Sequence, residues 1–391
     1  MSRHYDILVI GAGIHGAGVA QAAAAAGYSV LVLEQDCVAA GTSSRSSKLI
    51  HGGLRYLEHG ELALVWECLR ERQLLLRLAP ELVRLVPFRI PVYRDTRRRP
   101  WQIRAGLSLY ALLGGMRDGM GFRSLPRRVW DQLAGLRTEG LQAIFEYWDG
   151  QTDDAALTRA VMNSACRLGA ELRAPARLLH AAVHPQGLEV SYRDAGREHS
   201  GSCAVLVNCS GPWIEEVTAL IHPAGAIPAV DLVQGTHVIL AAPASDAIYY
   251  LEVPEDGRAV FTIPWRGKTM VGTTESPFAG RDPSAVAPLP AERDYLQRAV
   301  SHYFPRLPWE EVDAFAGLRV LPHSADRPFD RGRELMVSQD HRSIPRVLGV
   351  YGGKLTSYRA DAQKILQRAR PSLPARTARA DTRQLTLVPA D

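Results

Sequence analysis

The chain has 391 residues, of which 46% are apolar and 22% charged, with a formal net charge of +5. This composition predicts a soluble globular protein of about two domains. The modest positive charge suits an acidic substrate or an anionic membrane surface, and it argues against nucleic acid as the partner.

The first predicted element is a nucleotide-binding unit. It begins with a strand over residues 7–10 and a turn that contains Gly11, Gly13 and Gly16. A helix over residues 17–26 and a second strand over residues 29–33 follow, and that strand ends at the acidic residue Glu34. The glycines let a pyrophosphate approach the backbone at a helix N-terminus. Glu34 can accept both hydroxyls of a ribose and would repel a 2′-phosphate. The predicted ligand is therefore FAD or NAD.

Residues 41–56 follow the acid directly and read GTSSRSSKLIHGGLRY. Hydroxyl groups and cations are interleaved here with glycine, a composition that suits an anionic ligand held close to the main chain. Such a stretch would extend along the pyrophosphate toward a flavin, as in flavoproteins of the glutathione-reductase type. This favours FAD over NAD.

A helix over 60–78 and a strand over 88–93 are predicted next. The basic region 94–104 contains Trp101, and further arginines lie near Phe122 and Trp130. Cations interleaved with aromatic rings can rest on anionic lipid headgroups. A solvated loop face explains the same pattern, and the sequence leaves both open.

The second half alternates between strands and glycine turns. A helix over 153–168 precedes strands at 176–183, 188–192 and 203–207, and the last of these leads to a cofactor-facing turn at Gly211. Strands at 233–240, 248–253, 259–263 and 269–272 predict an antiparallel sheet. A helix at 291–303 follows. A strand at 348–351 then returns the chain to the cofactor at Gly353, Lys354 and Leu355, before a helix at 356–367.

These elements predict a discontinuous α/β fold with a Rossmann-type FAD-binding domain and an antiparallel substrate domain. The FAD domain would comprise residues 1–85, 145–215 and 310–370, and the substrate domain residues 86–144 and 216–309. Residues 371–391 would form a poorly ordered tail.

The five cysteines form no C-x-x-C pair and have no metal-ligand spacing with histidine. This favours a reduced protein without a metal site. The N-terminus shows no signal-peptide pattern, and the apolar segment near 105–116 is too short to span a bilayer. A cytoplasmic location is therefore expected, with peripheral attachment to the inner membrane open.

The order of motifs resembles that of the FAD-dependent, quinone-linked glycerol-3-phosphate dehydrogenases. The stretch 42–57 carries the resemblance, which continues through Gly211-Pro-Trp, Gly235-Thr-His, Gly272-Thr-Thr, Gly317-Leu-Arg and residues 352–359. The resemblance implies oxidation of glycerol 3-phosphate to dihydroxyacetone phosphate, with electrons passed to a quinone. Members usually continue into a helical C-terminal domain, so a short form is expected here, with a homodimer or a partner subunit possible.

The resemblance also assigns site residues by position. The FAD contacts are Gly11, Gly13, Gly16, Glu34, Thr42, Ser43, Ser44 and Lys48, and the substrate contacts are Arg55, Tyr56, His237, Arg319, Lys354 and an arginine near 331. Arg331 and Arg333 compete for that last role. Arg331 is favoured because Leu335 and Val337 then keep the strand register.

The chemistry requires a base for the hydroxyl proton and cations for the phosphate. His237 is the predicted base because histidine titrates nearest neutral pH. His51 is the rival base, although its position suggests contact with the flavin. Arg55 and Arg319 can bind oxyanions through paired hydrogen bonds, and Lys354 can stabilise negative charge on the flavin.

Two alternatives remain from the residues alone. An arginine that grips a carboxylate looks like one that grips a phosphate, so an oxidase of a 2-hydroxy acid or a secondary amine acid is one. A non-catalytic FAD-binding subunit is the other.

Overall fold

The structure, a computed structural model, describes residues 3–115, 121–133, 135–223, 228–243, 245–323 and 334–389. Arg331 and Arg333 lie outside these ranges. The α-helices are α1 (Ile14–Ala25), α2 (Leu62–Leu78), α3 (Pro100–Leu113), α4 (Asp154–Arg167), α5 (Ile214–Ala219), α6 (Pro290–Tyr303) and α7 (Tyr358–Ala369).

The strands fall into two sheets. In chain order they are β1 (Arg3–Ile10), β2 (Val30–Leu33), β3 (Leu49–Ile50), β4 (Val83–Tyr93), β5 (Phe122–Ser124), β6 (Leu141–Thr152), β7 (Glu171–Arg173), β8 (Ala176–His184), β9 (Gly187–Asp194), β10 (Arg197–Asn208), β11 (Ile221–His222), β12 (Val230–Pro243), β13 (Ile248–Glu252), β14 (Ala259–Trp265), β15 (Lys268–Gly272), β16 (Ser276–Pro277), β17 (Glu311–Pro322), β18 (Leu335–Gln339) and β19 (Val347–Gly352).

The first sheet has a parallel centre. Strand β1 pairs in parallel with β2 and β10, and β10 pairs in parallel with β19. Helix α1 packs on this sheet and against α4 and α7. Its alanines let the three helices approach closely, and apart from His15, whose side chain is 15% exposed, its residues are buried. The predicted α/β class with a Rossmann-type domain is confirmed.

The second sheet is largely antiparallel. Its order is β16-β12-β15-β14-β13-β4-β6-β3, with β17 on the other edge of β12 and β5 on β6. Strands β12 and β17 form a long ladder in which His237 faces Phe315, Gly235 faces Gly317 and Val233 faces Arg319. Alternate residues of a strand share one face. His237 and Arg319 therefore project from the same side of neighbouring strands.

Several sequence expectations differ from the structure. Strands β6 and β17, whose residues were assigned mainly to the FAD domain, pair within the second sheet. The basic region was not expected to form a helix, but its end begins α3, with Pro100 at the first helical position. Proline suits that position because its missing N–H has no intrahelical partner there.

The segment after α7 is not the poorly ordered tail that was expected. Arg376 forms an ion pair with the buried carboxylate of Asp6 at 2.9 Å, the backbone N–H of Arg379 donates to the carbonyl oxygen of Ala25, and that of Leu387 donates to the carbonyl oxygen of Leu78. Leu387 is buried. These contacts fasten residues 376–387 against β1, α1 and α2.

None of the helices in the described ranges is long and apolar enough to cross a bilayer.

Candidate FAD and substrate site

A cleft of about 920 Å³ lies between the two sheets. Its walls come from the glycine turn after β1, the end of β2, residues 40–51, strands β12 and β17, and the turn after β19. The carboxyl ends of parallel strands in a nucleotide-binding sheet form this kind of crevice. Segments far apart in sequence therefore meet at one cavity.

The glycine turn leaves no room for side chains. A Cβ on Gly16 would lie 1.9 Å from the carbonyl oxygen of Gly11, and a Cβ on Gly11, which has φ +97°, would lie 2.7 Å from the carbonyl oxygen of Cys209. Gly11 and Gly13 line the cleft, whereas Gly16 lies behind it and permits the turn. The cradle is thus backbone alone, which suits a pyrophosphate.

Glu34 lines the cleft and closes the turn. Its carboxylate accepts hydrogen bonds from the backbone N–H of Ala12 at 2.7 Å and of Asp36 at 3.0 Å. Burial raises the pKa of this carboxyl despite those bonds. The group predicted to accept ribose hydroxyls is therefore held at the end of β2.

Residues 41–48 cross the floor of the cleft. Ser43 accepts a hydrogen bond from the backbone N–H of Ile14 at 2.9 Å, and Thr42 donates to the carbonyl oxygen of Leu318 at 2.6 Å. A Cβ on Gly317 would lie 2.8 Å from the carbonyl oxygen of Arg45. The hydroxyl groups thus tie this stretch to α1 and to β17, and Thr42, Ser43 and Arg45 line the cavity.

Lys48, expected as an FAD contact, is not among the residues that line this cleft. Its ammonium pairs with Asp154 at 2.6 Å and donates to the carbonyl oxygen of Ser44 at 2.5 Å. Asp154 also accepts hydrogen bonds from the Ser46 backbone N–H and hydroxyl, at 2.9 and 2.6 Å. Lys48 and Asp154 therefore brace the 41–48 stretch from behind.

Ser44 and Arg55 are likewise absent from the cleft lining. The Ser44 hydroxyl donates to the carbonyl oxygen of Gly41 at 3.1 Å, so it supports the turn. The Arg55 guanidinium lies 5.8 Å from the centroid of the Tyr56 ring. Other residues that the sequence predicted as cofactor or substrate contacts line the cavity: His51, Tyr56, Gly211, Gly353 and Leu355.

His237 is 1% exposed and tightly held. Its Nε2 lies 2.9 Å from the Ser47 hydroxyl, and its ring stacks on Phe315 with centroids 4.9 Å apart. Burial, then the charges of Arg319 and Lys48, lower the pKa of His237 to about 3. The imidazole is therefore neutral at neutral pH, the form that a base requires, but it is a weak base until an anion offsets the cations.

This lowered pKa predicts how stability depends on pH. The unfolded imidazole takes up a proton below its ordinary pKa, whereas the folded one does not, so stability is lost as pH falls from about 6.5 toward 3. Replacing His237 with asparagine should flatten that dependence by at most about 1.4 kcal/mol per pH unit. Urea unfolding between pH 4.5 and 7 checks this, and equal slopes in both proteins would contradict it.

Arg319 presents a guanidinium to the cleft. It forms an ion pair with Glu275 at 2.8 Å and donates to the Thr273 hydroxyl at 3.3 Å. Glu275 also pairs with Arg258, at 3.2 Å. Two arginines thus share one buried carboxylate beside the cavity.

Lys354 also lines the cleft and carries a buried ammonium. Its Nζ lies 3.5 Å from the centroid of the Tyr56 ring and has no hydrogen-bond partner among the described residues. A buried cation without a hydrogen-bond acceptor is costly unless a ligand supplies that acceptor. Together with the bare glycine cradle and Glu34, this fits FAD, whose polar atoms would meet Lys354.

Sequence reasoning missed several lining residues. Ser47, Arg45, His15 and Trp213 line the cleft, and Glu275 holds Arg319 from beside it. Ser47 and Arg45 belong to the 41–56 stretch. The mixture of hydroxyl groups and cations in that stretch predicted an anion-binding segment, but it did not indicate the role of each side chain. The role of Glu275 depends on its contact with Arg319, which lies 44 residues later in the chain, so the residues next to Glu275 do not predict that role.

Residues 6–359 match the family described as FAD dependent oxidoreductase (DAO). The chain belongs to this FAD-dependent oxidoreductase family. Its cofactor is therefore FAD, as predicted, and the structure supplies the glycine cradle and acidic strand end that such an oxidoreductase needs.

Named relatives within the family cover most of the chain. A glycerol-3-phosphate dehydrogenase of Pseudomonas tolaasii is 38% identical over 383 residues, which are 95% of this chain and 72% of the relative. A D-erythritol 1-phosphate dehydrogenase of Brucella abortus is 36% identical over 375 residues, which are 94% of this chain and 74% of the relative. The resemblance to glycerol-3-phosphate dehydrogenases is confirmed.

A solved structure has the same fold. The glycerol-3-phosphate dehydrogenase of Bacillus halodurans, complexed with FAD, superposes with a TM-score of 0.75 at 24% identity. The match covers 98% of this chain and 68% of that one. This likeness shows that the two chains share a fold.

Proposed function

We propose that this flavoprotein oxidises sn-glycerol 3-phosphate to dihydroxyacetone phosphate. The observation that carries the proposal is the meeting of Arg319, His237 and Lys354 at one cleft beside the nucleotide cradle. Two cations and a neutral imidazole suit an anionic alcohol better than a neutral one. The names of the relatives at 36–38% identity support a phosphorylated polyol as that alcohol.

The cations would bind the phosphate and align C2 of the substrate. Arg319 is the main candidate because its guanidinium lines the cleft and is oriented by Glu275 and Thr273. Arg55 would act through Tyr56, and Arg331 remains a proposed phosphate ligand. Binding energy from a remote phosphate can be used to hold the reacting carbon in place.

The reaction breaks one C–H bond and one O–H bond of the substrate. Bound FAD would supply the acceptor for the hydride that leaves C2. The hydroxyl proton passes to a base as the carbonyl forms, and His237 can accept it because its imidazole is neutral. A phosphate opposite Arg319 would oppose the charge that lowers the His237 pKa. His51, which also lines the cleft, is the alternative base.

A second phosphorylated polyol is the closest competing substrate, because the relative named for D-erythritol 1-phosphate is similar to a comparable degree. Anaerobic mixing of the FAD-loaded protein with each candidate tests this choice. Bleaching of the flavin band by glycerol 3-phosphate supports the proposal, and bleaching only by D-erythritol 1-phosphate shifts it to that substrate. Bleaching only by hydroxy or amino acids refutes it, and no bleaching favours a non-catalytic subunit.

The electron acceptor and the location are part of the same proposal. We expect a quinone to reoxidise the flavin at the cytoplasmic face of the inner membrane. Trp101 is 70% exposed and Leu112 is 61% exposed, on the outer side of α3, and Leu62 and Trp66 are exposed on α2. The exposed cations Arg97, Arg99 and Arg104 lie near or on α3. Exposed apolar side chains on a helix that also carries exposed cations suit an anionic lipid surface.

The surface proposal predicts weaker lipid binding when its apolar residues are replaced. Changing Trp101 and Leu112 together to glutamine should lower partitioning onto phosphatidylglycerol vesicles roughly tenfold, since two exposed apolar side chains no longer enter the interface. Replacing Ile344, which is 50% exposed elsewhere, is the matched control. Equal sedimentation of all three proteins with the vesicles would contradict the surface assigned here.

A further inference from the structure

Ser47 is the polar contact of the His237 ring. Its hydroxyl lies 2.9 Å from Nε2, and both residues line the cleft. The other ring nitrogen, Nδ1, is buried and has no hydrogen-bond partner among the described residues. The imidazole is neutral, so only one of its two nitrogens carries a proton.

The contacts of the two nitrogens decide which one that is. A proton on Nδ1 would be a buried N–H without an acceptor, whereas a proton on Nε2 is donated to the Ser47 hydroxyl oxygen. Orphaned buried N–H groups are rarer than bare acceptors. The arrangement therefore favours the Nε2–H tautomer.

The ring cannot turn over easily to exchange its nitrogens. Phe315 stacks on one face with an interplanar angle of 15°. Gly272 is the neighbour of His237 on the other adjacent strand, and a Cβ there would lie 2.2, 2.7 and 2.8 Å from the ring atoms Cδ2, Cγ and Nε2, so the glycine backbone lies against the ring. Packing therefore fixes the plane of the ring, and the contact with Ser47 determines which ring nitrogen carries the proton.

We propose that Ser47 is a positioning residue that holds His237 in the Nε2–H tautomer and leaves the Nδ1 lone pair as the atom that accepts the substrate proton. This rests on the proposed function, because it takes His237 as the base. One O–H bond of the substrate is broken and one Nδ1–H bond is formed, and the C2–H bond is broken as the carbonyl forms; bound FAD would supply the acceptor for that hydride and its electron pair. Ser47 keeps its own proton throughout.

Nitrogen NMR of protein labelled with ¹⁵N in the histidine rings tests the tautomer without turnover. The His237 signals, assigned with a His237→Gln variant, should show a pyrrole-type Nε2 and a pyridine-type Nδ1 in the FAD-loaded protein. A protonated Nδ1 in the unsubstituted protein overturns the proposal. Because this measurement needs no Ser47 variant, it holds even where a variant fails to fold.

Kinetics provide the second arm. Ser47→Ala should slow anaerobic flavin reduction by glycerol 3-phosphate roughly 10- to 100-fold with KM nearly unchanged, and Ser47→Thr should restore most of the rate because it keeps the hydroxyl. An unchanged rate in Ser47→Ala overturns the proposal. If the unsubstituted protein reduces no flavin with any phosphorylated polyol, the proposed function fails, whereas the tautomer is still judged by NMR.

Discussion

Replacing Gly16 with alanine is expected to weaken FAD binding by roughly 100-fold or more. The added Cβ would sit 1.9 Å from the carbonyl oxygen of Gly11, which is backbone and cannot rotate away. The turn must therefore open, and opening it displaces the N–H groups that would face the pyrophosphate. Ultrafiltration or fluorescence titration of the apoprotein with FAD measures the dissociation constant directly.

Gly106→Ala is the matched control for that change. Gly106 lies in α3, and a Cβ there meets nothing within 4 Å. Alanine is the better helix former, so this variant should be as stable as the parent or slightly more so, with unchanged FAD affinity. Equal FAD affinity in the Gly16 and Gly106 variants would show that the turn is not the pyrophosphate cradle.

Replacing Arg319 with alanine should reduce kcat/KM for glycerol 3-phosphate by roughly 10²- to 10³-fold. Arg319 lines the cleft and projects from the same side of the second sheet as His237, and its loss removes paired hydrogen bonds to an oxyanion. FAD content should stay close to that of the parent protein. Steady-state assays with an artificial acceptor, together with the flavin absorbance ratio, separate the two effects.

Arg258→Ala is the matched control, because Arg258 also pairs with Glu275 but does not line the cleft. It removes one cation from the same carboxylate while Arg319 stays in place. A loss of less than about tenfold is expected. Comparable losses in both variants would mean that the charge of the Glu275 cluster, rather than contact with the substrate, determines the rate.

Local sequence predicted the parts of the fold in which neighbours in sequence are also neighbours in space. The first β-strand, glycine turn and α1 follow one another without interruption, so propensity and turn chemistry point to one structure. Strands β6 and β17 were harder, because their place depends on ladders with β4 and β12 that lie far away in the chain. No local pattern reports which sheet a strand joins.

The functional site shows the same difference between what neighbouring residues predict and what distant contacts decide. Tyr56, His237, Arg319 and Lys354 were predicted from their motifs, and the structure brings all four to the cleft. Lys48 looked like a ligand because it stands among hydroxyl groups, but Asp154, more than a hundred residues later, neutralises it. Ser47 could not be separated from its neighbouring serines until the fold placed it against His237.

The most direct test of the account is the anaerobic reduction of bound FAD by glycerol 3-phosphate and by glycerol, followed at 25 °C in a stopped-flow instrument. If the cations of the cleft grip a phosphate and so align C2, the ratio of reduction rate to dissociation constant should be at least about 10³ larger for glycerol 3-phosphate. Similar ratios for the two alcohols would contradict the phosphate grip, and with it the assignment of Arg319.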